Sequence, residues 1–450
     1  MTLSSLFLLV CVLILVPLIF ISPVVGLYSY HWISLLNPHR LVYGAAYTFP
    51  FAMVLAGLTI GSWLISAEQK KITLTPPVII LLIFALWVTF TSFFAQVPES
   101  VWTYWGRAEK TFLMTFITVI LVTSRERIHA LVWVLVLSVG VLGIRSGIPT
   151  ILTAGSHHAY GPPQSFITDN NALALVLVMT LPMIRYLYLE TQNKWIRYGL
   201  LGVFTLAIFA IIGTTSRGGF LGLVAVGTAL VWKSRQRTTI FFLVIVFGAA
   251  LAVFVPQKWV DRMETIENYE EDASAMGRLN AWTFGYRLAR ENPLTGGGFR
   301  PYLDSDLYMR LVPNASRPRS LHSIYFEVLA DHGFIGLGIF LTLLLATWKA
   351  FARVRRLTKE KSDLMWANNL ASMGQASLMG YMAAGAFQNL AYFDHIYTVI
   401  AISAVLLAYL QKQEAEEPAH QEFHESDKEK RFTRRPSIAG RRAKPSSQSS

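Results

Sequence analysis

Long apolar runs alternate along this chain with short polar connections. A transmembrane α-helix needs about 20 mostly apolar residues. Runs of that kind begin near Leu6, Tyr43, Pro76, Thr111, His129, Asn171, Tyr198, Gly218, Thr239, Ser323, Trp366 and Tyr392. The pattern predicts an all-α, polytopic integral membrane protein of about 12 transmembrane helices. About nine of them fall in residues 1–255 and about three in residues 322–410. Residues 256–321 form one long connection, too long for a simple link. From about residue 411 the chain is polar and rich in Ser, Lys, Arg and Glu, which predicts a disordered tail. The first run, Leu6 to Ile21, has no basic residue before it and no small-x-small cleavage site. With further spans following, it reads as a retained span rather than a secretory signal.

Composition agrees with a membrane protein. Hydrophobic residues make up 53% and charged residues 15%, against about 25% charged in a soluble domain. Mean hydropathy is +0.44. A disordered chain, a disulfide scaffold and a soluble enzyme are excluded. The net charge of +12 therefore reports orientation before it reports a nucleic acid partner. Every second connection is basic: Lys70 and Lys71, then Arg125 and Arg127, Lys194 and Arg197, Lys233 to Arg237, Lys349 to Lys361, and the tail. With 12 spans, this alternation predicts that the basic loops and both termini are cytoplasmic. The long connection carries nine basic and nine acidic residues. Long loops translocate largely regardless of charge, so it is expected on the periplasmic face, which marks that face as the working one. The basic tail suits either anionic lipid headgroups or a stop-transfer anchor. Cys11 is the single cysteine, so neither an intramolecular disulfide nor a cysteine metal cluster can form.

Candidate chemistry gathers at the expected outer face. Arg217 lies in TTSRGGFLGL between two apolar runs. A guanidinium beside a helix N-terminus can hold phosphate, with Gly218 and Gly219 allowing close approach; a snorkelling interfacial arginine is the competing reading. In the long connection, Arg278, Trp282, Tyr286 and Arg290 are four apart and share one face of a predicted helix from Arg278 to Arg290. Guanidinium forks suit pyrophosphate and aromatic rings suit sugar faces; an amphipathic helix resting on the membrane would show the same pattern. Asn292-Pro293 ends that helix, and Gly296 to Gly298 lead into Arg300. His322 enters the next run and can act as a base near neutral pH, or be purely structural. Asp169, Asn170 and Asn171 can cap a helix or bind a headgroup. Asp394 and His395 form an ionisable pair for gating or structure. His157 and His158 are adjacent, and His322 and His332 are ten apart, so no metal-ligand spacing is present. No cofactor motif occurs.

These motifs together resemble the O-antigen ligase superfamily, which includes ligases and polymerases. The carriers are TTSRGG, then GRLNAW and NPLTGGGF, then LHSIYFEVLADHGFIGL. More closely, the chain is similar to the O-glycosylation ligases associated with the exosortase A system, through NPHR, GPPQSFITDNNALAL and QNLAYFDH. Asp331 stands where that family has Glu in an E-x-G motif, and Arg145-Ser146-Gly147 stands in place of a Lys-Gly-Gly-like run. The resemblance implies a metal-independent, inverting glycan ligase without a cofactor, in the bacterial cytoplasmic membrane. It implies a glycan on undecaprenyl pyrophosphate as donor. Arg217 and Arg278 match the pyrophosphate positions and His322 the base. Arg300, Arg290, Trp282 and Tyr286 are candidate substrate contacts. The acceptor would be a glycan, a lipid or a protein Ser/Thr, and membrane lipids but no nucleic acid are the other partners. A polysaccharide polymerase using the same donor is the alternative, followed by a transporter of lipid-linked glycans. Transport calls for mid-span charges and inverted repeats, and neither stands out here.

Overall fold

The computed structural model describes residues 2–232 and 273–433. Regular structure among the described residues is all helical. In chain order the helices are α1 (Leu3–Ile21), α2 (Pro23–Leu36), α3 (Phe51–Ile65), α4 (Pro76–Ser92), α5 (Pro98–Leu121), α6 (Arg125–Leu152) and α7 (Asn170–Glu190). Then come α8 (Lys194–Gly213), α9 (Arg217–Trp232), α10 (Ala273–Glu291), α11 (Ser305–Leu311), α12 (Ile324–Thr358), α13 (Met365–Gly385) and α14 (Asp394–Thr433). Six stretches are long and apolar enough to cross a membrane: α1, α6, α7, α8, α12 and Asp394–Ala415 of α14. Helices α3, α4 and α9 are apolar but shorter. The span expected near Thr239 and the first part of the long connection, residues 256–272, lie outside the described residues.

Residues Met1–Leu407 form one compact unit and Ala408–Ser450 another. In the second, α14 continues to Thr433, through a stretch expected to be disordered. That stretch is dense in Glu, Lys and Ala, which are strong helix formers. In the first unit α7 is central. Every residue from Ala172 to Ile184 is buried, as a helix apolar on all sides requires. Helix α6 packs along α8, while α13 packs on α7, α9 and α12. Small residues permit this closeness. A Cβ at Gly147 would lie 2.2 Å from the Leu206 carbonyl oxygen, and one at Gly143 would lie 3.3 Å from Ala207. Arg145-Ser146-Gly147 is thus helical and part of the α6–α8 contact.

Four of the connections expected to be basic and cytoplasmic, around Glu68, Arg125, Glu190 and Trp366, gather at one end of the bundle, while residues 233–237 lie outside the described residues. Arg127 pairs with Glu68 through two hydrogen bonds of 2.9 and 2.6 Å. Arg125 lies 5.2 Å over the Trp366 ring, and Asn369 donates to Glu190 at 2.9 Å. At the same end, Ser62 near the close of α3 donates to the Ile19 carbonyl at 2.5 Å.

Two helices were not foreseen, the short α11 and α2. Helix α2, PVVGLYSYHWISLL, makes a hairpin with α1. Its 14 residues and its Ser, Tyr and His content keep it below a hydropathy window. Neighbours pair those groups: Tyr30 donates to Asp394 at 2.7 Å, and the His31 ring is 3.0 Å from the Thr118 hydroxyl. The hairpin changes the parity. Thr2 donates to the Tyr43 carbonyl at 2.9 Å, just before α3, so the start of the chain lies at the end opposite the basic loops. This corrects the expectation that the N-terminus shares their side.

The amphipathic helix of the long connection, α10, does not simply rest on a surface. Its Ala281, Phe284 and Leu288 form a small core with Leu307, Tyr308 and Leu311 of α11 and with Leu321 and Ala330. Phe284 and Tyr308 stack with centroids 4.6 Å apart.

Candidate functional site

The site begins at the turn between α8 and α9, TTSRGG. Thr215 there has φ +52°, uncommon for a β-branched residue and a recurrent mark of functional turns. The start of α7 fastens the turn. Asp169 caps α7, accepting from the backbone N–H groups of Asn171 and Ala172 at 2.8 and 3.0 Å. Asn170 is freed to donate to the Thr214 carbonyl at 2.7 Å. Ser216 donates to Asn171 at 2.7 Å and accepts from the Gly219 N–H at 3.0 Å. Capping therefore falls to Asp169, and the two asparagines hold the Arg217 turn. Gly218 faces the turn after α13 and Gly219 faces α7: Cβ atoms there would lie 3.1 Å from Phe387 and 2.5 Å from Ala174. The close approach these glycines were expected to give a ligand is taken by protein.

His322 precedes α12 and also has a positive φ, +45°. Trp282 of α10 pins this loop. Its indole N–H donates to the Leu321 carbonyl at 2.8 Å, and its ring stacks on Phe326 at 5.2 Å. The same ring lies 6.2 Å from Phe387, which abuts Gly218, so the His322 loop and the Arg217 turn meet across Phe387. The next residue, Gln388, is buried and donates to the second carboxylate oxygen of Asp169 at 2.8 Å. Nε2 of His322 is 3.0 Å from the Ser320 hydroxyl. Nδ1 of His322 and Oε1 of Gln388 are buried without a hydrogen-bond partner among the described residues. Burial, and then the Arg278 charge, hold the imidazole below its ordinary pKa of 6.5; the Gln388 side chain and the Asp169 charge oppose this. Burial and the Arg278 charge thus favour the neutral ring, and the Gln388 side chain lies against it.

The Gly-rich loop after α10 docks on a kink in α12. Gly333 has φ +69° and ψ −171°, a conformation open essentially to glycine alone. Around it, Gly297 donates to the Ala330 carbonyl at 2.8 Å, Gly298 to the Asp331 carbonyl at 2.9 Å, and Phe334 to the Pro293 carbonyl at 2.9 Å. The buried Asp331 side chain accepts the Arg300 N–H at 3.1 Å and the Tyr392 hydroxyl at 3.3 Å. The Asp-His-Gly segment is thus a clamp that sets Arg300. His332 turns away to α4, 2.6 Å from the Thr91 hydroxyl.

The Arg217 turn, through Gly218, and Trp282, which holds the His322 loop, meet around Phe387, and the Arg278 charge reaches His322. Trp282 is occupied in holding the His322 loop. Tyr286 and Arg290 are exposed, with Tyr286 edge-on to Phe334 at 6.5 Å. Arg300 sits apart, its guanidinium carbon 4.0 Å over the Tyr104 ring. Asp394 is spent on Tyr30. Sequence reasoning missed Gln388 as a site residue; its only signal was its place in QNLAYFDH. No group of three metal-ligating side chains occurs among the described residues. A neutral imidazole beside guanidinium charge can accept a proton while an anion is held nearby.

Known proteins were compared with the chain. Search of the curated proteins gave no match. Among solved structures, one similar chain belongs to a study titled "Structural coordination of polymerization and crosslinking by a peptidoglycan synthase complex". It is 16% identical, covers 74% of this chain and 97% of that one, and has a TM-score of 0.38. Residues 3–192 match a family of unknown function, DUF5935. Residues 202–341, which hold Arg217, Arg278 and His322, match the family described as O-Antigen ligase, and this supports the O-antigen ligase superfamily for this multi-pass chain, whose described residues are all helical in their regular structure.

Proposed function

We propose that the protein is a membrane glycan ligase that moves a glycan from an undecaprenyl-pyrophosphate donor to an acceptor hydroxyl. It would work at the periplasmic face of the bacterial cytoplasmic membrane, opposite the basic loops. One observation carries the reading: four distant segments, around Asp169, Arg217, His322 and Gln388, meet at one end of the bundle, with the Arg278 charge at the His322 ring.

With Nε2 donating to Ser320, Nδ1 of His322 would carry the lone pair that takes the acceptor proton. The acceptor oxygen attacks the anomeric carbon as the bond to the pyrophosphate oxygen breaks. The electron pair leaves with undecaprenyl pyrophosphate, and the proton goes to His322. Negative charge grows on the leaving pyrophosphate, where Arg217 and Arg278 stabilise it. Pyrophosphate is a good leaving group, so a single displacement needs no covalent enzyme intermediate and no metal, and it inverts the anomeric carbon. A polymerase would use the same donor site with a second lipid-linked glycan as acceptor. A product ladder on the lipid carrier marks a polymerase, and one block moved to a different acceptor marks a ligase.

The test uses full-length protein in lipid nanodiscs, with a defined glycan on undecaprenyl pyrophosphate, cell extract as acceptor and EDTA present. Wild type should release undecaprenyl pyrophosphate. His322→Ala and Arg217→Ala should lose about 10²-fold or more in rate while melting like wild type. Normal release by both variants sinks the proposal. Movement of the donor between leaflets without release would favour transport.

A further inference from the structure

A second cleft opens beside the His322 cluster. It is lined by Tyr104 and Arg107 of α5, Phe299 and Arg300 of the Gly-rich loop, Glu327 of α12, and Asn389. Both guanidiniums stack on one ring: Arg300 lies 4.0 Å and Arg107 5.4 Å from the Tyr104 centroid. Stacking occupies their faces and leaves their N–H edges open. Neither guanidinium has a hydrogen-bond or ion-pair partner among the described residues. Arg300 is presented deliberately, since its backbone is left-handed at φ +55° and its N–H is clamped by Asp331. Oδ1 of Asn389 is buried without a partner among the described residues. Glu327 is fixed by the Ala391 N–H at 3.0 Å.

Each feature selects chemistry. Two open guanidinium forks suit a carboxylate or phosphate. The aromatic faces of Tyr104 and Phe299 suit the apolar face of a sugar ring. Asn389 Oδ1 and Glu327 can accept from hydroxyl groups. The cleft also adjoins the base: Asn389 follows Gln388, and Glu327 lies five residues beyond His322, in the first turn of the helix that His322 precedes. We propose that this cleft is the part of the acceptor subsite that takes an anionic group, and that the acceptor is a sugar carrying one. The assignment to an acceptor rests on the ligase reading above; binding of an anionic sugar does not.

The experiment is therefore a binding measurement on full-length protein in neutral-lipid nanodiscs without donor. The probes are trigalacturonate, its full methyl ester and glucose 6-phosphate, titrated by calorimetry. Trigalacturonate should bind wild type, and Arg107→Gln and Arg300→Gln should each weaken it about tenfold or more, as loss of a charge-assisted hydrogen bond does. The ester should bind at least as weakly as the variants do. If only the sugar phosphate binds, and both arginines matter, the proposal stands with phosphate as the anionic group. Equal affinity for acid and ester, unchanged affinity in both variants, or no binding of either anion overturns it. A Ser/Thr-rich peptide that binds through the same two arginines, while the sugars do not, also overturns it in favour of a protein acceptor. Melting temperatures of the variants control for folding. Normal lipid pyrophosphate release by His322→Ala would sink the ligase reading without touching this result.

Discussion

Replacing Gly333 by Ala tests whether the Asp-His-Gly clamp sets the Gly-rich loop. A Cβ at Gly333 would lie 2.6 Å from the Leu294 carbonyl oxygen and 2.7 Å from that of Pro293. Both are backbone atoms, so no side-chain rotation relieves the clash. The backbone conformation itself costs a non-glycine residue about 1–3 kcal/mol. Backing the loop away would break the Phe334–Pro293 and Gly297–Ala330 hydrogen bonds, each contributing about 0.5–1.5 kcal/mol. The sum is about 2–6 kcal/mol. A cheaper route is local: residues 293–300 detach, Arg300 leaves Tyr104, and the rest of α12 stays packed. Hydrogen-exchange mass spectrometry in nanodiscs should show the peptide over residues 293–300 exchanging about 30-fold or more faster, which corresponds to about 2 kcal/mol. Peptides of α7 should exchange as in wild type. Gly338→Ala on the same helix is the control, since a Cβ there meets nothing within 4 Å. Wild-type exchange over residues 293–300 in Gly333→Ala would refute the clamp.

Other consequences follow from the same geometry. His322 lies below its ordinary pKa because of burial and Arg278, so the acid limb of a pH–rate profile should lie below pH 6.5, with rate lost as pH falls; Arg278→Gln should move that limb upward, and an unmoved or lowered limb contradicts the assignment. The same sign makes native stability from this residue decline as pH falls from about 6.5 toward the folded value. Trp282→Phe keeps a ring on Phe326 but leaves the Leu321 carbonyl unpaired, at about 1–3 kcal/mol. It should lower kcat with little change in KM, whereas a rise in KM alone would make Trp282 a sugar contact instead. Gly147→Val drives a side chain into Leu206 and should destabilise by about 1–3 kcal/mol, read as a lower melting temperature, while Gly227→Ala, with open space around it, should match wild type.

What the sequence revealed and what it hid divide along a physical line. Helices α6, α7 and α8 were legible because their apolar runs are long enough for hydropathy to average over local polarity. Helix α2 was hidden because its polarity is paid off in three dimensions: Tyr30 and His31 look like loop residues until Asp394, Thr118 and Thr398 stand opposite them. That one hidden hairpin reverses the end at which the chain begins, which no count of basic loops could reveal. At the site, residue types pointed to chemistry, but roles depended on partners distant in sequence. Asp169 and Gln388 are 219 positions apart and share one hydrogen bond. The spacing of Trp282 on its helix suggested a sugar platform, yet Leu321 and Phe326 claim its N–H and its face. Gly218 and Gly219 suggested room for a ligand, yet Phe387 and Ala174 fill that room. In each case the sequence named a capability and packing decided whether the capability was already used. Among the groups that packing leaves unused, those near the candidate site are Nδ1 of His322, Oε1 of Gln388, Oδ1 of Asn389 and the open edges of Arg107 and Arg300. Gln388 and Asn389 are neighbours in one short segment after Phe387, so under the proposed function that segment would divide the donor site from the acceptor subsite.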